Sequence, residues 1–335
     1  MHLENSHALI IGAGISGIAS ALELTTDGLS VYLVEKEAQV GGHAASFCCK
    51  ATDVCSNCSV CVVPQKIKEA VVHPQISLLT NSTVQKVSGE VGNFRVEITQ
   101  QPQYIDAERC IACALCAEVC PVEHKAVYLP FAEAIPFSYV LDEGLCLRFQ
   151  GEDCNLCRES CPTNAIDFQR EPKRQELSVG TIIVATGFEV FDAREIGLMG
   201  YGRHPNVLTG LDLERMFNRE GSLKLLSNGK EPQSIAFIQC VGSRDENHCY
   251  CSQVCCKYAM RFARLIKYQN PNAEVTIFYI DLQTAGKGFA EFYEECEESI
   301  RFVPGVPVEI LELPSGELEV KFENILGGKV NREVF

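Results

Sequence analysis

Hydrophobic residues near the start of the chain fall into two short runs with a helical pattern between them. The first run, His7–Ile11, is apolar after its histidine, as expected of a parallel strand buried on both faces. Residues 18–25 have helical periodicity, and the second run, Ser30–Val34, ends at an acid, Glu35. This order predicts a βαβ unit at residues 7–35.

The same alternation returns in the second half of the chain. Residues 234–239 and 274–280 are strand-like, and residues 252–268 between them are helical. Two further strands with a glycine turn are predicted at 83–87 and 93–99, and the run at 179–186 resumes a parallel-sheet pattern. Short helices are predicted at 64–72 and 211–217, and a strand at 317–323. The chain is therefore predicted to have an α/β fold with two dinucleotide-binding-type domains.

A glycine-rich turn joins the first strand to the first helix. It reads Gly12-Ala13-Gly14-Ile15-Ser16-Gly17, a G-x-G-x-x-G motif. Gly12 permits the tight turn, Gly14 allows close approach of a pyrophosphate, and Gly17 lets helix and strand pack closely. Glu35 is placed to accept hydrogen bonds from ribose hydroxyls. The motif predicts a dinucleotide site, the alternative being a purely structural turn.

Two further strings favour FAD over NAD. Lys36 and then Gly41-Gly42 follow the acid, and Ala185-Thr186-Gly187 ends the late strand. Both strings resemble flavoproteins of the two-dinucleotide-binding-domain, thioredoxin-reductase-like superfamily. Taken alone, the Ala-Thr-Gly string also suits an ordinary strand end.

Nineteen cysteines without an export signal point to metal ligation in a reducing, cytoplasmic setting. One string is C-x2-C-x2-C-x3-C-P, the run that binds iron–sulfur clusters, and a second set also closes with proline. Because the fourth cysteine of such a run crosses over to the other cluster, two [4Fe–4S] ligand sets follow. They are Cys110, Cys113, Cys116 and Cys161 for one cluster, and Cys120, Cys146, Cys154 and Cys157 for the other. Zinc, disulfides and buried thiols are the alternatives.

A third cluster is predicted where Cys55, Cys58 and Cys61 repeat the C-x2-C-x2-C spacing. Its fourth ligand is Cys48, Cys49 or a residue elsewhere. The alternative is that some of these cysteines are small buried residues or thiols close to a flavin.

The second strand–helix–strand unit has no G-x-G-x-x-G motif in its loop. The loop carries Cys240, Cys249, Cys251, Cys255 and Cys256 where a nicotinamide nucleotide would place its pyrophosphate. A cluster in place of NAD(P) is therefore predicted. The alternatives are a redox-active Cys255–Cys256 pair and buried cysteines.

These observations define a domain organisation. Residues 1–100 and 171–230 form the FAD-binding domain, and residues 101–170 form an inserted ferredoxin-like 2[4Fe–4S] domain. Residues 231–335 form the second Rossmann-like domain. The chain's net charge of −15 argues against nucleic acid, and no apolar stretch approaches the roughly 20 residues that cross a bilayer.

The loop residues 240–246 and 250–256, with Tyr279-Ile280-Asp281 and residues 207–211, resemble the flavin-containing A subunit of heterodisulfide reductase and its bacterial relatives. The resemblance covers almost the whole chain. It implies FAD, three or four [4Fe–4S] clusters, and Cys240, Cys251, Cys255 and Cys256 as one ligand set, with Cys249 left over.

The resemblance also implies partners and a function. The expected partners are other redox subunits, of B or C type or linked to a hydrogenase or dehydrogenase, and a homodimer is expected. The expected function is electron relay through the flavin, with bifurcation or confurcation left open. The alternatives are a free-standing disulfide or NAD(P)H oxidoreductase and a non-catalytic scaffold that only connects clusters.

Family members carry further domains, and the flavoprotein fold normally continues to a last strand and helix facing the FAD. The chain is therefore expected to be incomplete at its C-terminus and inactive alone. Either a separate chain supplies that segment, or the gene is split or truncated. Arg261 follows the cluster loop at a place where the resemblance implies a lysine in bifurcating members. We expect its side chain to face the flavin and to favour confurcation or simple transfer, the alternative being a solvated helix residue.

Overall fold

The computed structural model describes residues 6–130, 134–283 and 285–335 of the chain. These residues divide into two compact units. The first comprises the chain up to Phe47 together with Ser59–Phe188, and the second comprises Cys48–Cys58 together with Glu189–Phe335.

The first unit contains a parallel sheet that begins with the predicted βαβ unit. Its elements are β1 (His7–Ile11), α1 (Ile15–Thr26), β2 (Ser30–Val34), α2 (Gly42–Ala45), α3 (Val62–Val71) and β3 (Ile76–Leu79). The strand order is β3-β2-β1, and a later strand, Thr181–Val184, completes the sheet beside β1. The apolar runs form these strands because both faces are covered, and α1 and α3 pack over one of them.

An antiparallel sheet covers the other face. It is formed by β4 (Ser82–Glu90) and β5 (Asn93–Gln100), which make the predicted hairpin, and by Lys173–Val179. Leu9 and Val34 of the parallel sheet pack against Val96, Ile98 and Val179. The sequence analysis did not predict Lys173–Val179 as a separate strand.

In sequence, the predicted ferredoxin module lies between two neighbouring strands of this antiparallel sheet, β5 and Lys173–Val179. It contains α4 (Leu115–Glu118), β6 (Val127–Tyr128), β7 (Val140–Leu141) and α5 (Leu156–Glu159), after which β8 (Lys173–Val179) and β9 (Thr181–Val184) return to the two sheets. The two ends of the module are joined where Asp106 N donates to Ala165 O and Asp167 N to Tyr104 O, both at 2.8 Å. An ion pair of 2.6 Å between Arg170 and Asp106 closes the same end.

The second unit contains one five-stranded sheet in the order β10-β11-β12-β13-β14. Its elements are α6 (Gly210–Glu220), β10 (Ser234–Ile238), α7 (Cys255–Gln269), β11 (Glu274–Tyr279), α8 (Phe289–Glu297), β12 (Arg301–Glu312), β13 (Leu318–Asn324) and β14 (Lys329–Val334). The first three strands of the sheet are parallel and the last two antiparallel. The helix α7 begins at Cys255, later than the predicted start at residue 252, because Gln253 is left-handed with φ of 60°.

Residues 48–58 pack with the second unit, although the predicted boundaries grouped them with the first part of the FAD-binding domain. The segment is held by a buried ion pair between Lys50 and Glu214 of α6, whose nitrogen and oxygen lie 2.5 Å apart. Cys48 is part of the same core as Phe262 of α7. The segment is therefore anchored to α6 and α7.

Candidate functional site

The turn after β1 has the geometry that the glycine motif predicts. Gly12 has φ of 104°, and a Cβ there would lie 2.3 Å from Ala185 O. A Cβ on Gly17 would lie 1.9 Å from Gly12 O, so strand and helix approach too closely for any side chain. Ile15 and Ser16 open α1, and its N-cap, Gly14, makes no side-chain capping hydrogen bond. The first N–H groups of α1 are thus directed to a site that suits a phosphate.

The acid at the end of β2 closes this turn. Glu35 is buried, and its carboxylate accepts from Ala13 N at 2.8 Å and from Glu37 N at 3.0 Å. Lys36 beside it is exposed. The carboxylate is fixed by two backbone donors while retaining further acceptor capacity, as a ribose-binding acid requires.

The other predicted flavin residues meet the same turn. Gly41 N donates to Ala13 O at 2.7 Å, and a Cβ on Gly42 would lie 3.2 Å from the Cα of Gly14. Ala185 N donates to Ile11 O at 2.8 Å, and the exposed Thr186 and Gly187 follow. All the predicted cofactor-binding strings therefore converge on the carboxyl end of β1, where ligands bind in open α/β sheets.

The first predicted ferredoxin ligand set surrounds one cavity. This partly open space of about 310 Å³ is lined by all four cysteines of the set, Cys110, Cys113, Cys116 and Cys161. Ala165 N donates to Cys161 Sγ at 3.3 Å. Burial, with smaller contributions from the nearby Cys110 and Cys113, raises the pKa of the Cys116 thiol to about 12.

The second predicted set is likewise brought together. Burial raises the pKa of Cys157 to about 11, and Cys146, Cys154 and Cys120 lie near enough to raise it as well. The fourth cysteine of each run thus lies with the other run's first three, as the crossover requires. Binding to a metal centre would deprotonate such thiols, because the metal compensates the charge of the thiolates.

The cysteine-rich loop of the second unit gathers four of its five cysteines. Cys240 and Cys256 hydrogen-bond to the sulfur of Cys255, which lowers the pKa of Cys255. These hydrogen bonds, together with burial, raise the pKa values of Cys240 and Cys256. Cys251 lies close enough to Cys256 to contribute to the rise in the pKa of Cys256. Cys249 is exposed.

An ion pair that the sequence analysis missed stands beside this loop. Arg244 and Asp281 lie 2.5 Å apart, and the guanidinium offsets part of the rise in the pKa of Cys240 that the bond to Cys255 and burial cause. Both residues fall within strings quoted for the resemblance, but nothing in the local pattern pairs them.

The Cys55 loop repeats the backbone conformation of the first ferredoxin run. Asn57 and Ser59 are left-handed, with φ of 50° and 60°. Ala112 and Ala114 hold the corresponding places after Cys110, with φ of 52° and 68°. Non-glycine residues seldom adopt this conformation, and two in matching positions indicate a shared loop type. Cys55 and Cys58 belong to the second unit, and Cys61 precedes α3 of the first.

Arg261 lies on α7 and contacts the Cys55 loop. Its Nε donates to Ser56 O at 3.2 Å and its Nη2 to Asn57 O at 3.4 Å. Its predicted orientation toward the flavin stays a prediction. The contact with residues 56 and 57 was not predicted, since the partners are about 200 residues apart in sequence.

All nineteen cysteines are free. Within the described ranges, no three or more His, Cys, Asp or Glu side chains converge as the ligands of a single metal ion do. In the same ranges, the structure has no helix with the length and apolar character of a membrane span.

Two domain families match parts of the chain. Residues 10–56 match the NAD(P)-binding Rossmann-like domain, and residues 104–123 match the 4Fe-4S binding domain. The first match covers the glycine turn and Glu35, and the second covers the first cysteine run. Together with the fold, they support a flavin-type dinucleotide and [4Fe–4S] clusters as cofactors.

Curated relatives match nearly the whole chain. The A subunit of the H(2):CoB-CoM heterodisulfide,ferredoxin reductase from Methanothermobacter marburgensis is 43% identical over 96% of this chain and 51% of its own length. The first of two iron-sulfur A subunits of CoB–CoM heterodisulfide reductase from Methanopyrus kandleri is 42% identical over 98% of this chain and 52% of its own length. The chain therefore spans about half the length of these relatives.

Among solved structures, the thioredoxin reductase of Lactococcus lactis is similar with a TM-score of 0.50. The two are 14% identical, and the match covers 98% of this chain and 74% of that one. This similarity confirms the predicted fold class of a two-dinucleotide-domain protein.

Proposed function

This chain belongs to the A-subunit family of heterodisulfide reductases, which are oxidoreductase subunits, and on that premise we propose that it relays electrons through FAD and several [4Fe–4S] clusters. When bound, the flavin links two-electron to one-electron carriers. The chain's own residues hold the cofactors, set their environment and fix their spacing.

The residues proposed to hold FAD are those around the turn after β1. The free N–H groups at the start of α1 would bind the pyrophosphate, and Glu35 would accept from the ribose. Gly12 and Gly42 leave the space that a close backbone approach requires.

The proposed cluster number is three or four. Two lie in the ferredoxin module, one at the Cys240, Cys251, Cys255 and Cys256 set, and one at Cys55, Cys58 and Cys61. The fourth ligand of this last set is Cys48, which is buried, Cys49, which is exposed, or a residue elsewhere.

The observation that carries the proposal is the cavity lined by the first three cysteines of one run and the last cysteine of the other. Two runs that fold so that their fourth cysteines exchange places have the arrangement of a two-cluster ferredoxin. The placing of this module within the flavin domain's sequence makes electron transfer its natural use.

The partners proposed are other redox subunits of a heterodisulfide-reductase-like complex, of B or C type or linked to a hydrogenase or dehydrogenase. A homodimer and a chain that completes the FAD site belong to the same proposal. The relatives' names describe heterodisulfide and ferredoxin reduction by their whole proteins. Free cysteines in this number fit a reducing compartment such as the cytoplasm.

Iron and flavin analysis after anaerobic purification tests the proposal. We expect about 12 to 16 iron atoms per chain and one FAD per complete flavin site. Cys249→Ser, which changes a cysteine outside the sets, should leave both values unchanged. Four or fewer iron atoms would refute the ferredoxin assignment, and clusters without flavin would support a scaffold. NADH that bleaches the flavin without partners would favour a free-standing oxidoreductase.

A further inference from the structure

One peptide group in the Cys55 loop is bound from both sides. Its carbonyl, Ser56 O, accepts from Arg261 Nε at 3.2 Å. Its amide, Asn57 N, donates to Cys55 Sγ at 3.4 Å, within reach of a bond to sulfur. Arginine and cysteine sulfur are therefore connected through a single peptide unit.

The geometry of a trans peptide explains what this connection does. The C=O and N–H groups of one peptide are coplanar and point in opposite directions, so fixing the oxygen also aims the hydrogen. A cationic donor on the oxygen polarises the peptide and strengthens the bond that its N–H makes.

A second donor from the same side chain fixes the next residue. Arg261 Nη2 reaches Asn57 O at 3.4 Å, so the guanidinium spans two successive carbonyls. Asn57 has φ of 50°, in the left-handed region that asparagine adopts more readily than most residues. The two bonds from Arg261 hold the carbonyls on either side of its Cα. A lysine ammonium would keep the charge, but it lacks the planar fork that addresses two acceptors.

The cysteine-rich loop of the second unit supplies an internal reference. Gln253 N donates to Cys251 Sγ at 3.3 Å, and Gln253 has φ of 60°. The residue two places after each cysteine thus makes the same bond in both loops. At the Cys55 loop the peptide carbonyl also carries the guanidinium of Arg261.

We propose that Arg261 is a positioning residue for Cys55, holding and polarising the peptide whose N–H bonds its sulfur. This inference rests on the proposed cluster at Cys55, Cys58 and Cys61. Hydrogen bonds to cluster sulfurs and nearby positive charge stabilise the reduced, more negative form of a cluster. Arg261 therefore raises the reduction potential of this cluster, which places its action on the cluster rather than directly on the flavin.

The test is a redox titration of the full anaerobic chain with dithionite as the electron donor, followed by electron paramagnetic resonance. In Arg261→Met we expect about a tenfold fall in the ratio of reduced to oxidised Cys55 cluster at fixed potential, equal to about 59 mV for one electron. Arg261→Lys should give a smaller fall. Arg264→Met, which removes an arginine paired at 2.9 Å with Glu295 on the neighbouring helix, should give none.

Proton electron–nuclear double resonance on the reduced cluster gives a readout that a general loss of charge would not produce. An exchangeable proton coupling, lost in D2O, is expected from Asn57 N–H in the native protein. We expect it to weaken in Arg261→Met and to persist in Arg264→Met.

The other possible outcomes overturn either the role of Arg261 or the proposed Cys55 cluster. An unchanged potential and coupling in Arg261→Met would overturn the inference while leaving the cluster assignment intact. If that variant loses its cluster, Arg261→Lys replaces it, and native values there would overturn the inference. A shift in the flavin potential alone would place Arg261 at the flavin. A native protein with flavin and the other clusters but no third signal from Cys55 would refute the proposed cluster and this inference with it.

Discussion

The buried ion pair between Lys50 and Glu214 gives a sharp prediction about the segment that carries Cys55. Glu214 has no exposed surface and Lys50 has 3%. The carboxylate also accepts from Cys48 N at 2.7 Å, and Lys50 Nζ donates to Cys48 O at 3.0 Å. Lys50→Met removes the compensating charge and leaves a carboxylate buried, which costs about 3–5 kcal/mol of unfolding free energy.

A second variant separates the stranded charge from other effects of the change. Lys50→Met/Glu214→Gln removes both charges and leaves an amide oxygen for Cys48 N–H to donate to. Since replacing a whole buried pair is far less costly than breaking it, the double variant should lose less stability than Lys50→Met. The matched control is Lys66→Met, which breaks an ion pair with Glu69 in which each side chain is 39% exposed. It should lose about 1 kcal/mol or less.

Hydrogen exchange at several urea concentrations reports local stability, from peptides of residues 48–58 and α6 for the Lys50 variants and from peptides of α3 for Lys66→Met. The method suits a chain of two units, because overall unfolding need not be a single transition. A Lys50→Met variant no less stable than Lys66→Met would refute the reasoning. So would a double variant less stable than the single one, since the stranded charge would not then be the cause.

Three further predictions concern the cofactor sites and the core. Glu35→Ala should weaken FAD binding by about 1.5–3 kcal/mol, because it removes a charged acceptor from the turn. The control Glu37→Ala changes an exposed neighbour and should leave the affinity for FAD unchanged. Flavin titration of the apoprotein measures both variants, and an unchanged affinity in Glu35→Ala would mean that the cofactor binds elsewhere. Cys161→Ser should abolish the same cluster signal as Cys113→Ser, and loss of different signals would refute the crossed ligand sets. Burial raises the pKa of Cys296 from 9.0 to about 11. The unfolded chain therefore releases this proton first, so stability should fall as pH rises from about 9 to about 11, and Cys296→Ala should flatten that slope in urea unfolding.

The sequence predicted the parts of the structure whose signals are local. The βαβ unit at His7–Ile11 and Ser30–Val34 has the predicted strand bounds, because a continuous apolar run marks a strand covered on both faces. The crossed cysteine sets were predicted from spacing alone, and the structure brings Cys161 beside Cys110, Cys113 and Cys116, while their binding of clusters stays a prediction.

Local patterns could not predict β12. Arg301–Glu312 contains Pro304 and Pro307, which normally argue against a strand. The structure tolerates Pro307 because the register shifts between Pro307 and Glu309, which is the kind of irregularity where proline is accepted. The flanking strand β14 went unpredicted as well, since its exposed positions give it little apolar signal.

Long-range pairs were equally invisible. Lys50 and Glu214 are each ordinary in sequence, and their pairing depends on residues 48–58 joining the second unit. Arg261 was singled out by its place after the cluster loop, but its contact with Ser56 O depends on that same packing. Such contacts follow from the tertiary arrangement and not from the residues' own neighbourhoods.

The most direct test of the relay is the number of electrons that one anaerobically purified chain accepts in a coulometric reduction. A flavin takes two electrons and each [4Fe–4S] cluster takes one, so three or four clusters predict about five or six electrons per chain. An uptake of about two electrons, with the flavin reduced and no cluster signal appearing, would mean that the chain is a simple flavoprotein and would contradict the account.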